Sequence, residues 1–371
     1  MSPDLALLTL SRARLPDALL RQLLDQHPDP AAALAAAGHG AGLDLPAASH
    51  AWLRQPDRQR LDADLAWLSR PGRRLLGWHD ADYPALLRRS PAAPPLLFVD
   101  GDPALLWSAQ VGIVGSRRPS AGGHDHARRF ARALAGAGWT ITSGLAQGID
   151  RAAHEGALDT GRTIAVVGTG LDLAYPPGNA ALMARVASNG AVVSEHPPGT
   201  GALSTHFPSR NRIIAGLSLG TLVVEAASRS GALITARLAA EAGREVFALP
   251  GSIDNPLARG CHRLIRDGAA LVEGPEEVVA ALAPLALRLA EMLRGQLGDC
   301  AATPVYRSAD GQSPGDPDHS RLWSALGHDP TGMDVLAERT GLTVAALSSM
   351  LLIMELEGHV VNDHGRYARR P

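Results

Sequence analysis

Between residues 108 and about 283, short apolar runs alternate with amphipathic stretches of helical length, about 10 to 17 residues each. The runs are Val111–Val114, Thr140–Thr142, Thr163–Val167, Ala191–Val193, Thr221–Val224, Glu245–Leu249 and Ala270–Val272. Several are apolar throughout, which fits strands covered on both faces. Strand and helix in alternation predict a doubly wound α/β sheet, with ligands bound beyond the carboxyl ends of the strands. Before this core, residues 1–65 carry Leu5, Leu7, Leu8, Leu19, Leu20, Leu23 and Leu24 at roughly helical spacing, predicting a small helical domain. Residues 75–107 read as extended and proline-broken, with a short strand at Leu96–Val99, and the core domain is drawn over 75–283. Residues 285–318 read as a linker. A last domain, 319–371, is expected to hold helices at 319–327, 332–340 and 343–357, followed by a β-wing at Val360–Tyr367.

The predicted strands end in small, polar loops. The first gives Gly115-Ser116-Arg117-Arg118, the second Ser143-Gly144, the fifth Ser230-Gly231 just before a helix. Small residues let a ligand approach the backbone, and a helix start offers free N–H groups to anions. The fourth loop leads into Phe207-Pro208-Ser209-Arg210-Asn211-Arg212. A phenylalanine beside two arginines at a helix start is the chemistry of a single-stranded nucleic-acid site: rings for bases, guanidinium forks for phosphates. A packed helix start with solvated arginines fits the same segment. Asp150 and His154 stand one helical turn apart, which suits a metal pair or an N-cap carboxylate; no third ligand lies nearby. Glu225, at a strand end, reads either as a catalytic base or as an orienter of neighbouring arginines, and the second is preferred.

Composition narrows these readings. The chain has 371 residues and a net charge of −2, and all 35 of its basic residues are arginine. Without lysine there is no Walker A loop and no Schiff base. The dinucleotide fingerprint is incomplete, since the third glycine and the ribose-binding acid are missing. Two cysteines, Cys261 and Cys300, give neither a disulfide framework nor a zinc spacing. No run of about 18 apolar residues and no signal pattern occur, so a cytoplasmic protein with no membrane association is expected.

Taken together, the motifs resemble those of the DNA-processing protein A (DprA, or Smf) family. They are Gly115-Ser116-Arg117, Ser143-Gly144-x-Ala146-x-Gly148-Ile149-Asp150 and Gly170-Leu171-Asp172-x-x-Tyr175-Pro176. Ser194-Glu195-x-Pro197-Pro198-Gly199-Thr200, Phe207 to Ser218, Val224-Glu225-Ala226 and Ser230-Gly231-x-Leu233-Ile234-Thr235-Ala236 complete the set. The likeness spans roughly 75–275. It implies an extended Rossmann-like core that binds single-stranded DNA, dimerises and delivers the strand to the RecA recombinase in natural transformation and recombination, with no cofactor and no catalysis. It implies that Gly115, Ser116 and Arg117 contact the strand, with Ser143 and Gly144 in the same pocket; Arg118, next in this basic loop, is expected to contact it too. It further implies that Phe207 lies against bases, and that Arg210, Asn211 and Arg212 line the groove; Ser230 and Gly231, at their helix start, are expected to join them in binding the strand. Self-association is expected through His262, Ile265 and Leu271. The C-terminal domain resembles a winged helix, but its expected recognition helix carries Glu355 and Glu357 and no arginine, so it reads as a protein-contact or structural module. The alternative is a nucleotide phosphoribohydrolase on a related fold, with Glu225 catalytic.

Overall fold

The computed structural model describes residues 1–38, 45–300, and beyond them 321–323, 325–326, 331–343, 347, 350–351, 354, 360–363 and 366–369. Two compact units are present, Met1–Gln296 and Leu297–Pro371.

The first unit begins with α1 (Pro3–Arg12), α2 (Asp17–Gln26), α3 (Pro30–Gly38), α4 (Ala47–Arg54) and α5 (Arg58–Leu68). Ser2 and Asp57 accept from backbone N–H groups at the starts of α1 and α5, satisfying donors that a helix leaves free. Strand β1 (Arg73–Gly77), the short α6 (Ala85–Arg88) and β2 (Leu96–Gly101) follow. The alternating core then runs β3 (Gln110–Val114), α7 (Ala121–Gly136), β4 (Thr140–Ser143), α8 (Ile149–Leu158), β5 (Thr163–Val166), α9 (Ala180–Asn189) and β6 (Ala191–Ser194). It continues with α10 (His206–Leu217), β7 (Gly220–Val223), α11 (Gly231–Glu241), β8 (Glu245–Ala248), α12 (Arg259–Arg266), β9 (Ala270–Leu271) and α13 (Pro275–Cys300).

These strands form one nine-stranded sheet in the order β1-β2-β6-β5-β4-β3-β7-β8-β9. From β6 to β9 every pairing is parallel, as the unbroken apolar runs predict. Only β2 and β1 join antiparallel, with Phe98 opposite Ser194 and Leu75 opposite Phe98. The chain winds outward from β3 to β6 on one side, then returns to β7 beside β3 and winds the other way. The crevice between β3 and β7 is therefore the switch point at which such sheets bind ligands.

Helices α7 and α8 cover one face with α13, burying Phe130, Leu134, Ile149 and Leu282 around Ile113 and Leu222. On the other face Ile213, Ile214 and Leu217 of α10 meet Val114, Val166 and Val223. The N-terminal helices share their core with the sheet edge: Leu8, Leu20 and Trp67 cluster with Phe98, Val167 and Leu171. Helix α13 passes Pro284 and runs on to Cys300, so the chain leaving the core begins as helix where a linker from residue 285 was expected.

In the second unit α14 (Met333–Thr340) lies beside a three-stranded sheet of β10 (Thr331–Gly332), β11 (Val360–Asp363) and β12 (Arg366–Arg369), ordered β10-β12-β11. Leu322, Leu336, Leu347, Leu351 and Val360 form its core. Helix and wing agree with the sequence reading, whereas Glu355 and Glu357 lie outside the described residues. No helix among the described residues is long and apolar enough to cross a membrane.

Candidate nucleic-acid interface

A cavity of about 570 Å³ opens at the switch point, walled by the loops after β3, β4, β5, β6 and β7. The loop after β3 is anchored at Ser116 by its backbone: Ser116 N–H donates to Glu225 O at 2.7 Å, and Ser116 O accepts from Ile149 N–H at 3.1 Å. Gly148, at φ +80°, makes this possible, because a Cβ there would enter the backbone of Ser116 and Arg117. Ser116 Oγ accepts from Arg118 N–H at 3.1 Å, turning the chain so that Arg117 and Arg118 both emerge exposed.

Arg117 has no ion pair among the described residues. Its guanidinium lies 5.5 Å from the centre of the Phe207 ring, a cation–π distance. Phe207 in turn lies 5.2 Å from Tyr175, the two rings inclined by 35°. Tyr175 is 46% exposed at the cavity. Across the cavity, Ser230 caps α11 by accepting from Ala232 N–H at 3.2 Å, and a Cβ on Gly231 would meet nothing within 4 Å. One wall is cationic and aromatic, and the other is the start of a helix whose free N–H groups favour anions.

The arginines of α10 take different places. Arg210 is buried, not displayed: it donates to Gly144 O, Val166 O and, at 2.8 Å, Asn211 Oδ1. Its guanidinium lies 3.8 Å from Asp150. Burial takes Arg210 down to about 10, so it remains charged at neutral pH, and burial pushes the Asp150 carboxyl up against the pull of Arg210. Arg210 and Asn211 form the floor of the cavity and keep Gly144 free of any side chain. Ser143 lies beneath that floor, donating to Ile113 O at 2.6 Å. Arg212 points out of the groove altogether, to Asp17 at 2.8 Å, Glu195 and Ala92 O. Neighbours on a helix are about 100° apart, so Arg210, Asn211 and Arg212 cannot all face one ligand.

Glu225 does not orient arginines. Its carboxylate accepts from Ser120 N–H at 2.8 Å, Ser120 Oγ–H at 2.6 Å and Asn255 Nδ2 at 3.2 Å, extending the cap of α7. Asp150 accepts from Ala146 N–H at 3.4 Å and is not the N-cap of α8, a position held by Gly148. His154 is fully buried, with Nδ1 2.7 Å from Thr163 Oγ1. Tyr175 is the residue that the sequence reading omitted from the site. It stands in the Gly170–Pro176 motif and is one of only four tyrosines, a signal weaker than that of Phe207 because no arginine adjoins it.

The residues named for self-association lie apart from this cavity. His262 Nε2 is 3.0 Å from Gly251 O, Ile265 is half-buried against the core, and Leu271 on the edge strand β9 is 46% exposed.

Residues 74–283, more than half of the chain, match the family described as DNA recombination-mediator protein A. The chain belongs to this DprA family. Residues 307–366 match the DprA winged helix domain. Protein Smf of Escherichia coli K12 is 43% identical over 314 residues, covering 84% of this chain and 81% of that protein. DNA processing protein DprA of Streptococcus pneumoniae is 48% identical over 202 residues, 54% of this chain and 71% of the relative. The X-ray structure of the Streptococcus pneumoniae protein superposes with a TM-score of 0.68 at 38% identity, covering 75% of this chain and 97% of that one. A Helicobacter pylori DprA structure, described for its single-stranded DNA binding mode, matches with a TM-score of 0.51 at 30% identity over 54% of this chain and 93% of that one. DNA processing and recombination are thus the setting of the family to which the chain belongs.

Proposed function

We propose that this chain binds single-stranded DNA in the switch-point cavity and hands it to RecA, working as a cytoplasmic homodimer without catalysis. The observation that carries the reading is the stack of Arg117, Phe207 and Tyr175 facing the start of α11. Exposed rings accept unpaired bases of any sequence, and the free guanidinium and helix start accept backbone phosphates. The description of the Helicobacter pylori relative supports the same ligand. The phosphoribohydrolase alternative needs Glu225 free to act, and its oxygens are committed to Ser120 and Asn255.

Fluorescence anisotropy with matched single-stranded and duplex oligonucleotides tests the proposal. Single strands should bind far more tightly, with a log–log salt slope of about −0.7 per phosphate contacted. Equal affinity for duplex contradicts it, and release of a free base from nucleotides by purified protein supports the enzyme instead. Transfer to RecA is tested by following filament growth on coated single strands. An unchanged rate of growth refutes the loading role.

A further inference from the structure

The wall of the cavity does not close it off. Ala202, in the loop between β6 and α10, lines it and also lines a second cleft of about 510 Å³. That cleft lies between the α1–α2 turn, α4, the start of α5 and the same loop. Arg12 in it is already engaged, with Asp64 at 2.5 and 2.6 Å and Pro198 O at 2.7 Å. The acids facing it, Asp17 and Glu195, are both held by Arg212. Arg14 and Arg60 are different. Both are exposed, and neither guanidinium has a hydrogen bond or ion pair among the described residues. Flat rings stand with them. His196 and His206 are stacked with centres 3.9 Å apart and planes 21° apart, and Trp52 is fixed by its Nε1–H donating to Thr9 O at 2.8 Å. His196 Nε2 is buried without a hydrogen-bond partner among the described residues. Arg14 occupies φ +51°, a conformation that glycine adopts without strain and arginine adopts rarely.

Free guanidiniums beside half-buried rings repeat the composition of the first cavity on the far side of one loop. Resting on the single-stranded DNA reading of that cavity, we infer that the strand continues over the Gly199–Ser204 loop into this cleft. There Arg14 and Arg60 take phosphates, and the imidazole pair and Trp52 take bases. The N-terminal helices are then part of the DNA-binding surface, and the site is longer than the core alone provides.

The test compares oligothymidylates of about 6 and about 20 nucleotides, the shorter filling one cavity and the longer both. The variant Arg14→Gly/Arg60→Gln removes both charges while giving the strained turn the residue that suits it. Its melt should therefore stay at or above that of the native protein. Affinity for the short oligonucleotide should be unchanged. Affinity for the long one should fall by about tenfold per lost phosphate contact, and its salt slope should flatten by about 1.4. Sedimentation matching the native protein excludes a change of assembly as the cause, and Arg70→Glu, at an exposed position lining neither cavity, controls for charge alone. If the native protein binds neither oligonucleotide, the single-stranded DNA reading itself fails. If it binds both and the double variant keeps its full advantage on the long one, that reading stands and the second cleft is refuted. An equal loss on both lengths, or a loss matched by Arg70→Glu, also refutes it.

Discussion

Arg117 and Arg210 both line one cavity, yet they do opposite work. Arg117 is exposed and unpaired; Arg210 is buried and bridges Gly144 O, Val166 O and Asp150. Arg117→Ala should therefore cost about 1.5–3 kcal/mol of DNA binding through a lost charge-assisted bond, with little change in stability. Phe207→Ala should cost about 1–3 kcal/mol of binding through lost stacking, with the salt slope unchanged where Arg117→Ala flattens it. Arg210→Ala should instead destabilise the fold by about 3–5 kcal/mol, because it leaves Asp150 buried without its partner. Denaturant unfolding beside anisotropy separates the three. A stable Arg210→Ala protein with weakened binding would restore Arg210 to the ligand's side. The sequence could not make this distinction, because arginines adjacent in the chain diverge around a helix and burial is set by strands far away in sequence. Glu225 was opaque for the same reason: its partner Ser120 is on another loop, 105 residues away.

At the scale of elements, far more was legible. Strands β3 to β7 were readable because both faces of each are covered, so nearly every position is apolar or small and the run stands out. Strand β1 was not. Arg73 and Arg74 begin it, it lies at the sheet edge, and it pairs antiparallel, so it lacks the continuous apolar signature. Between elements, His154 carries a consequence that only the structure supplies. It ties α8 to β5 through Thr163, whose hydroxyl donates onward to Ile141 O at 2.6 Å, so His154 Nδ1 is the donor. Burial, aided by the charge of Arg210, pulls this histidine down to about 3. In the unfolded chain its value is about 6.5, so the unfolded state binds the extra proton at every pH between the two. The contribution of neutral His154 is complete above about pH 6.5 and is lost as pH falls towards 3. It amounts to about 2 kcal/mol between pH 6.5 and 5. His196, pulled down to about 4 chiefly by burial, acts in the same sense. Measured by urea unfolding, His154→Leu should lose stability less steeply than the native protein over that interval. Parallel pH profiles would mean that the ring is protonated without cost.

The whole molecule ends its sheet at β9, and that end is unfinished. Leu271 is 46% exposed on an edge strand, and half-buried Leu264 and Ile265 of α12 also belong to this end of the unit. An exposed apolar residue on an unpaired strand edge invites another chain. A second copy meeting this one about a two-fold axis would cover both edges at once and bring two basic grooves into one assembly. A strand long enough to enter both would gain effective concentration, whereas a short one would not. Ile265 is the weaker probe of this surface, since it also packs on the core and a charge there could unfold the protein. Leu271→Glu touches only the exposed edge. It should give a folded monomer by sedimentation, with a native melt, normal affinity for short oligonucleotides and reduced affinity for long ones. Because Leu271 and Arg14 lie in different parts of the unit, the two effects are separable: Leu271→Glu changes the sedimentation coefficient, and Arg14→Gly/Arg60→Gln does not. A Leu271→Glu protein that still sediments as a dimer would move self-association to another surface.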